Sequence, residues 1–132
     1  MPRTAWPLRR GRPAVEVVLQ QALVQQPLTR TLLADTGAGA VHVAIELILT
    51  EYDCLLAGAT PHKAIILGGA YQGSFPTYLV RVQLPALGFD HDIRVVGIPA
   101  APSAFDGIAC FRFLNRFAYG NFGDPNQFGL EN

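Results

Sequence analysis

The sequence predicts an all-β domain, a small closed barrel with one or two short helices. Three observations lead there. The chain has 132 residues, half of them apolar, enough to bury roughly two-thirds of the unfolded surface around one core. Thirteen glycines and ten prolines cut it into short segments, which favours many strands over a few long helices. Inside those segments apolar and polar side chains alternate with the two-residue period of a strand that has one buried face.

Residues 1–13 read as a flexible basic arm and residues 14–132 as the domain, because Arg3, Arg9, Arg10 and Arg12 crowd among Pro2, Pro7 and Pro13. The first strand runs through Val15, Val17 and Leu19, and Leu28 to Ala34 forms its hairpin partner after the turn-prone Gln25-Gln26-Pro27. Val43 to Tyr52 fits a strand by its alternation and a helix by its length. Lys63 to Leu67 and Thr77 to Leu84 are expected to form a long hairpin around Gly68, Gly69, Ala70, Tyr71, Gln72 and Gly73. After a turn at Pro85 to Phe89 comes a strand over Asp92 to Ile98. A short helix over Cys110 to Phe117 is implied by Phe113, Leu114 and Phe117 on one face, and the last strand spans Gln127 to Leu130.

Composition excludes several functions. Charged residues are only 15% of the chain, ten Lys plus Arg against ten Asp plus Glu, which argues against disorder and against a nucleic-acid partner. The longest apolar stretch, around Val41 to Leu49, is broken by His42 and Glu46 and falls short of the ~20 residues of a spanning helix. Glu16, Gln20 and Gln21 likewise interrupt anything resembling a signal-peptide core. The expectation is a cytoplasmic protein with no membrane partner, its Cys54 and Cys110 free thiols. His42, His62 and His91 are scattered and no Cys-x-x-Cys occurs, so neither a metal nor another cofactor is expected. No Gly-x-Ser-x-Gly is present, and no Lys-Ser/Thr follows Gly73 to make a phosphate loop.

The chemistry concentrates at Leu32-Leu33-Ala34-Asp35-Thr36-Gly37-Ala38-Gly39. A carboxylate at the end of an apolar strand is costly to bury without donors. The following Thr-Gly permits a tight turn whose N–H groups point at that carboxylate and present it at the strand end. An ordinary Asp-Thr-Gly turn, with Asp bonding the backbone two residues on, accounts for the tripeptide alone. Among the other acids Asp106, beside Gly107, is the candidate for a second carboxyl within one chain, with a turn or capping role as the simpler reading.

In its wider context the sequence resembles the retropepsin-like, single-domain (clan AA) aspartic proteases, from about Val15 to Leu130. Three elements carry the resemblance in order: an apolar strand into Asp35-Thr36-Gly37-Ala38, a glycine-rich segment Gly68-Gly69-Ala70-Tyr71-Gln72-Gly73, and Asp106-Gly107-Ile108-Ala109-Cys110-Phe111-Arg112-Phe113-Leu114 opening a helix. The resemblance implies a barrel of the acid-protease type, a peptide or protein substrate, Asp35 as the catalytic residue, Thr36, Gly37 and Ala38 as the active-site loop, and Gly68 to Gly73 as a flap over the substrate. It makes Ile108 and Ala109 candidates for the substrate pocket. Peptide hydrolysis of this kind needs two carboxyls sharing a proton around one water. The chain holds one Asp-Thr-Gly, so a homodimer with one Asp35 from each subunit is implied. Because Ala38 has no hydroxyl to donate to the carboxylate, as a Ser or Thr there would, a pH optimum nearer neutral than in pepsin-like enzymes is expected. Two positions depart from the family: Cys110 stands where glycine is usual, and Gly39 where Asp or Ser often binds the substrate main chain. The alternative is a non-catalytic dimeric module on the same barrel, binding peptide by strand addition or serving structure alone.

Overall fold

The hairpin expected at the start of the domain forms as β2 (Ala14–Gln20) and β3 (Pro27–Ala34), paired antiparallel from Ala14↔Leu33 to Gln20↔Pro27. Its alternation sends Val15, Val17 and Leu19 into the core while Glu16 faces solvent. The computed structural model describes residues 1–24, 26–40, 42–62, 64–67, 72–101 and 104–132.

Six strands close a barrel in the order β2-β3-β9-β4-β8-β7, with β4 at Leu47–Thr50, β7 at Thr77–Leu84, β8 at Phe89–Ile98 and β9 at Gly107–Ala109. Pairing of Val18↔Gln83 and Leu19↔Val82 seals it. β9 inserts between β3 and β4, parallel to the first and antiparallel to the second, and β4 runs parallel to β8. Gly107 is needed at that seam, since a Cβ there would overlap the Ile48 carbonyl oxygen. The main core joins Val15, Leu19, Leu47, Tyr78 and Val82 to Phe113 and Leu114 of α2 (Phe111–Leu114). A second cluster gathers Ile45, Ile48, Val96, Ile98, Ile108 and Cys110 under the Asp35 loop.

Several elements depart from expectation. Residues 1–13 are not a loose arm: β1 (Arg3–Pro7) pairs along its whole length with β11 (Gln127–Glu131), which also pairs with β10 (Ala118–Gly120) in a separate three-stranded sheet. Half-buried Trp6 packs on the main core, and its apolar area offsets the cost of ordering a Pro-rich terminus. Val43 to Tyr52 divides between both readings. β4 ends at Thr50, whose hydroxyl accepts the Asp53 N–H at 3.1 Å and caps helix α1 (Glu51–Leu56).

The glycine-rich segment also pairs differently from the expected long hairpin. β5 (Ile65–Leu67) pairs with the short β6 (Gly73–Phe75), while β7 pairs with β8 and β2. Pro76, lacking a backbone donor, separates β6 from β7. The helix expected over Cys110 to Phe117 is the single turn of α2, with Phe117 still buried against Phe113 and Phe89.

Two bidentate ion pairs to buried carboxylates tie distant segments together. Arg30 on β3 makes a bidentate contact with the buried Asp53, at 2.7 and 2.8 Å. Arg116 does the same to the buried Glu46, at 2.5 and 2.8 Å. No helix among the described residues is long and apolar enough to cross a membrane.

Candidate functional site

Asp35 follows the last residue of β3, and its backbone continues the barrel's pairing for one more step: its N–H donates to the Ala109 carbonyl at 3.0 Å. The chain then turns back on itself. Ala38 N–H donates to the Asp35 carbonyl at 3.1 Å, and Gly37 N–H donates to Asp35 Oδ1 at 2.9 Å. This is the Asx-type turn anticipated from sequence, and it satisfies one carboxylate oxygen from the backbone. Among the described residues Oδ2 has no hydrogen-bond partner. Glycine at 37 suits this closeness, because an added Cβ would stand 3.3 Å from Oδ1.

The rest of the loop is anchored from below. Ala38 packs on the second cluster, and its carbonyl accepts the Phe111 N–H at 2.9 Å, tying the loop to the start of α2. Gly39 follows at φ +75°, with nothing within 4 Å of its Cβ position. Thr36 and Gly37 are exposed and Asp35 is half-buried. The turn therefore holds a carboxylate at the barrel's rim with one oxygen bound by the backbone and the other without a partner among the described residues.

The remaining candidates are placed less uniformly. Ile108 lies in the second cluster beneath the loop. Ala109 is fully buried in the main core and reaches the site through its carbonyl. Of the expected flap, Gln72 and Gly73 are exposed, Gly73 opening β6 at φ +137°; Gly68, Gly69, Ala70 and Tyr71 lie outside the described residues. Cys110 is held beneath the loop: its backbone N–H donates to the Glu46 carbonyl and its side chain fills the second cluster. Burial, with the nearby charges of Asp35 and Glu46, pushes the thiol up to about 12. Asp106 is not a second active-site carboxyl. It clamps β3, accepting the Thr31 N–H at 2.8 Å and returning its own N–H to the Thr31 carbonyl at 2.8 Å.

Two hollows adjoin these elements. One, of about 220 Å³, is lined by Arg12, Pro13, Leu33, Ala34 and Asp35. The other is a mostly apolar groove of about 580 Å³ lined by Val43, Ala44, Ile45, Ile65 and Ile66 together with Thr77 and Arg94. Sequence reasoning missed Arg12 as a neighbour of Asp35; the hairpin register was the signal, since Ala14 opposite Leu33 carries Arg12 to the level of Asp35. Among the described residues no cluster of three or more His, Cys, Asp or Glu side chains is suited to a metal ion. No protein-family model, curated protein or solved structure matches the chain, so the site is read from its own geometry.

Proposed function

We propose that this chain is a homodimeric aspartic endopeptidase of the retropepsin-like kind, hydrolysing peptide bonds with one Asp35 carboxyl from each subunit. The observation that carries the reading is the Asp35 turn: a carboxylate at a barrel rim, braced through Gly37 N–H, Ala109 and α2, with Oδ2 left available. One such carboxyl per chain suits a reaction divided across a two-fold axis.

In that arrangement the two carboxyls share a proton, because both cannot comfortably be ionised at close range, and they titrate as a pair. The ionised carboxyl takes a proton from water as its oxygen attacks the scissile carbonyl carbon. The neutral one donates to the carbonyl oxygen. Collapse of the resulting diol breaks the C–N bond, and the proton held by the first carboxyl passes to the departing nitrogen. Thr36 is exposed, which leaves its hydroxyl free to make the bond across the two subunits that the resemblance implies. The β5–β6 hairpin, with Gln72 and Gly73 at the described end of its tip, acts as the flap that excludes water. The groove of Val43, Ala44, Ile45, Ile65 and Ile66 is suited to apolar substrate side chains. A reducing compartment, the cytoplasm, suits the two buried free thiols.

The test is Asp35→Asn. Loss of peptide cleavage with unchanged circular dichroism and an unchanged dimer mass in sedimentation supports the proposal. Equal cleavage by wild type and variant, or a wild-type protein that stays monomeric with a statine-type inhibitor, overturns it. Peptide binding without cleavage by wild type would replace the enzyme with the binding module on the same barrel.

A further inference from the structure

We infer that the Arg9–Arg12 turn selects peptides that carry an acidic side chain close to the bond to be cut, an inference that rests on the protease reading of the Asp35 site. Arg9 and Arg12 exchange backbone hydrogen bonds at 2.9 and 3.1 Å around Arg10 and Gly11, whose φ values of 52° and 73° make a tight two-residue turn. Such turns favour Asn-Gly or Gly-Gly at the positive-φ positions, and arginine at the first of them is held against its preference. Three arginines are thereby gathered on four residues of one turn, a local charge of like sign.

Their place in the fold supplies the reason. The β2–β3 pairing begins at Ala14↔Leu33 and continues by the Ala34 N–H bond to the Pro13 carbonyl at 3.0 Å, so the next residues across from one another are Arg12 and Asp35. The two line the same hollow of about 220 Å³. Elsewhere Arg3, Arg30, Arg81 and Arg116 each meet a carboxylate. Among the described residues Arg9, Arg10 and Arg12 meet none, and all three are exposed. A cationic turn beside the candidate scissile centre, its charge unpaired among the described residues of the chain, is complementary to a substrate Glu or Asp. The apolar groove takes the neighbouring side chains, so the substrate class is an extended peptide with an apolar residue at the cut and an acidic one a few positions away.

The experiment compares two peptides of identical apolar core, one with Glu and one with Gln at each flanking position in turn, cleaved by wild type, Arg12→Gln and Arg10→Gln. A preference in kcat/KM of about fivefold for one Glu peptide at low salt is expected, the size of a good exposed ion pair. It should fall toward parity in Arg12→Gln, and in wild type near 1 M salt, where charges are screened within ~3 Å. Equal cleavage of Glu and Gln peptides at every position overturns the inference and leaves the protease reading intact. A preference that survives in both arginine variants overturns it as well. Failure to cut either peptide, with Asp35→Asn indistinguishable from wild type, removes the protease reading and the inference together.

Discussion

Arg116 grips Glu46 through two hydrogen bonds, at 2.5 and 2.8 Å, across 70 residues of chain. Glu46 is 5% exposed, and its backbone is equally committed: its N–H donates to Arg94 and its carbonyl accepts from Cys110. The pair therefore fastens the segment after the Asp35 loop to the residues that follow α2. Removing Arg116 strands a buried carboxylate, whereas replacing both partners with apolar residues does not. Arg116→Ala should cost about 2 kcal/mol, discounted from a fully buried pair because the guanidinium is partly exposed. The double variant Glu46→Met/Arg116→Leu should recover most of the loss. Urea unfolding of the two single variants and the double variant measures the coupling; additive losses would contradict it.

Alkaline pH should weaken the fold. Cys54 and Cys110 are both pushed up to about 12, chiefly by burial, with Asp53 and Glu51 adding to the first and Asp35 and Glu46 to the second. Tyr78 also rises to about 12, through burial and its 3.2 Å hydrogen bond to Glu51. Unfolded thiols lose their protons near the ordinary value of 9.0, so between pH 9 and 12 the unfolded state binds fewer protons than the native one. Stability from these groups is whole below about pH 9 and is lost as pH rises toward 12, at up to ~1.4 kcal/mol per pH unit for each thiol. Urea midpoints at pH 8, 9, 10 and 10.5 should fall progressively, with a shallower fall in Cys110→Ala. A flat series would show that the thiols ionise freely in the folded protein.

Ala38 offers a test on the chemistry itself. A hydroxyl at that position, beside the Asp35 turn, would donate to the carboxylate and favour its charged form. Ala38→Ser should therefore move the acid limb of the pH–rate profile to lower pH, by about one unit if the new bond is worth ~1.4 kcal/mol. Because Ala38 packs on the second cluster, its stability should be measured alongside. An acid limb that stays in place, in a variant of unchanged stability, would remove Ala38 from the account of pH dependence.

Much of the barrel was legible because its strands bury one face. Val15, Val17 and Leu19 on β2, and Tyr78, Val80, Val82 and Leu84 on β7, declare themselves by alternation, and all are buried. Asp35 was legible because a carboxylate ending an apolar run demands donors, and Gly37 N–H supplies one. The long-range pairings were not. No local signal says that β9 inserts between β3 and β4, and the role of the Ala109 carbonyl depends wholly on that insertion. The change from strand to helix at Thr50 had a readable cue, a capping threonine three residues before Asp53, which the alternation of Val43 to Leu49 masked. Nothing local to Glu46 announces its burial, which is intelligible only once Arg116 is beside it.

The N-terminal strand is where pattern and fold diverge most, and Trp6, the chain's one tryptophan, reports on it directly. Prolines at 2 and 7 and charges around them hide any alternation, yet β1 takes up every position of β11 from Arg3↔Glu131 to Pro7↔Gln127, and Arg3 closes its outer end on Glu131 at 2.8 Å. Trp6 rests against the main core. Its emission should be blue-shifted in the native protein and should shift to the solvent-exposed wavelength in the same urea transition as circular dichroism, because β1 cannot leave without uncovering Leu130. Deleting residues 1–7 removes one side of β11 and an aromatic contact, and should cost about 3 kcal/mol, the scale of losing a buried large side chain. Emission already at the exposed wavelength in native buffer, with a truncated chain as stable as the full one, would return these residues to the loose arm that their composition suggests.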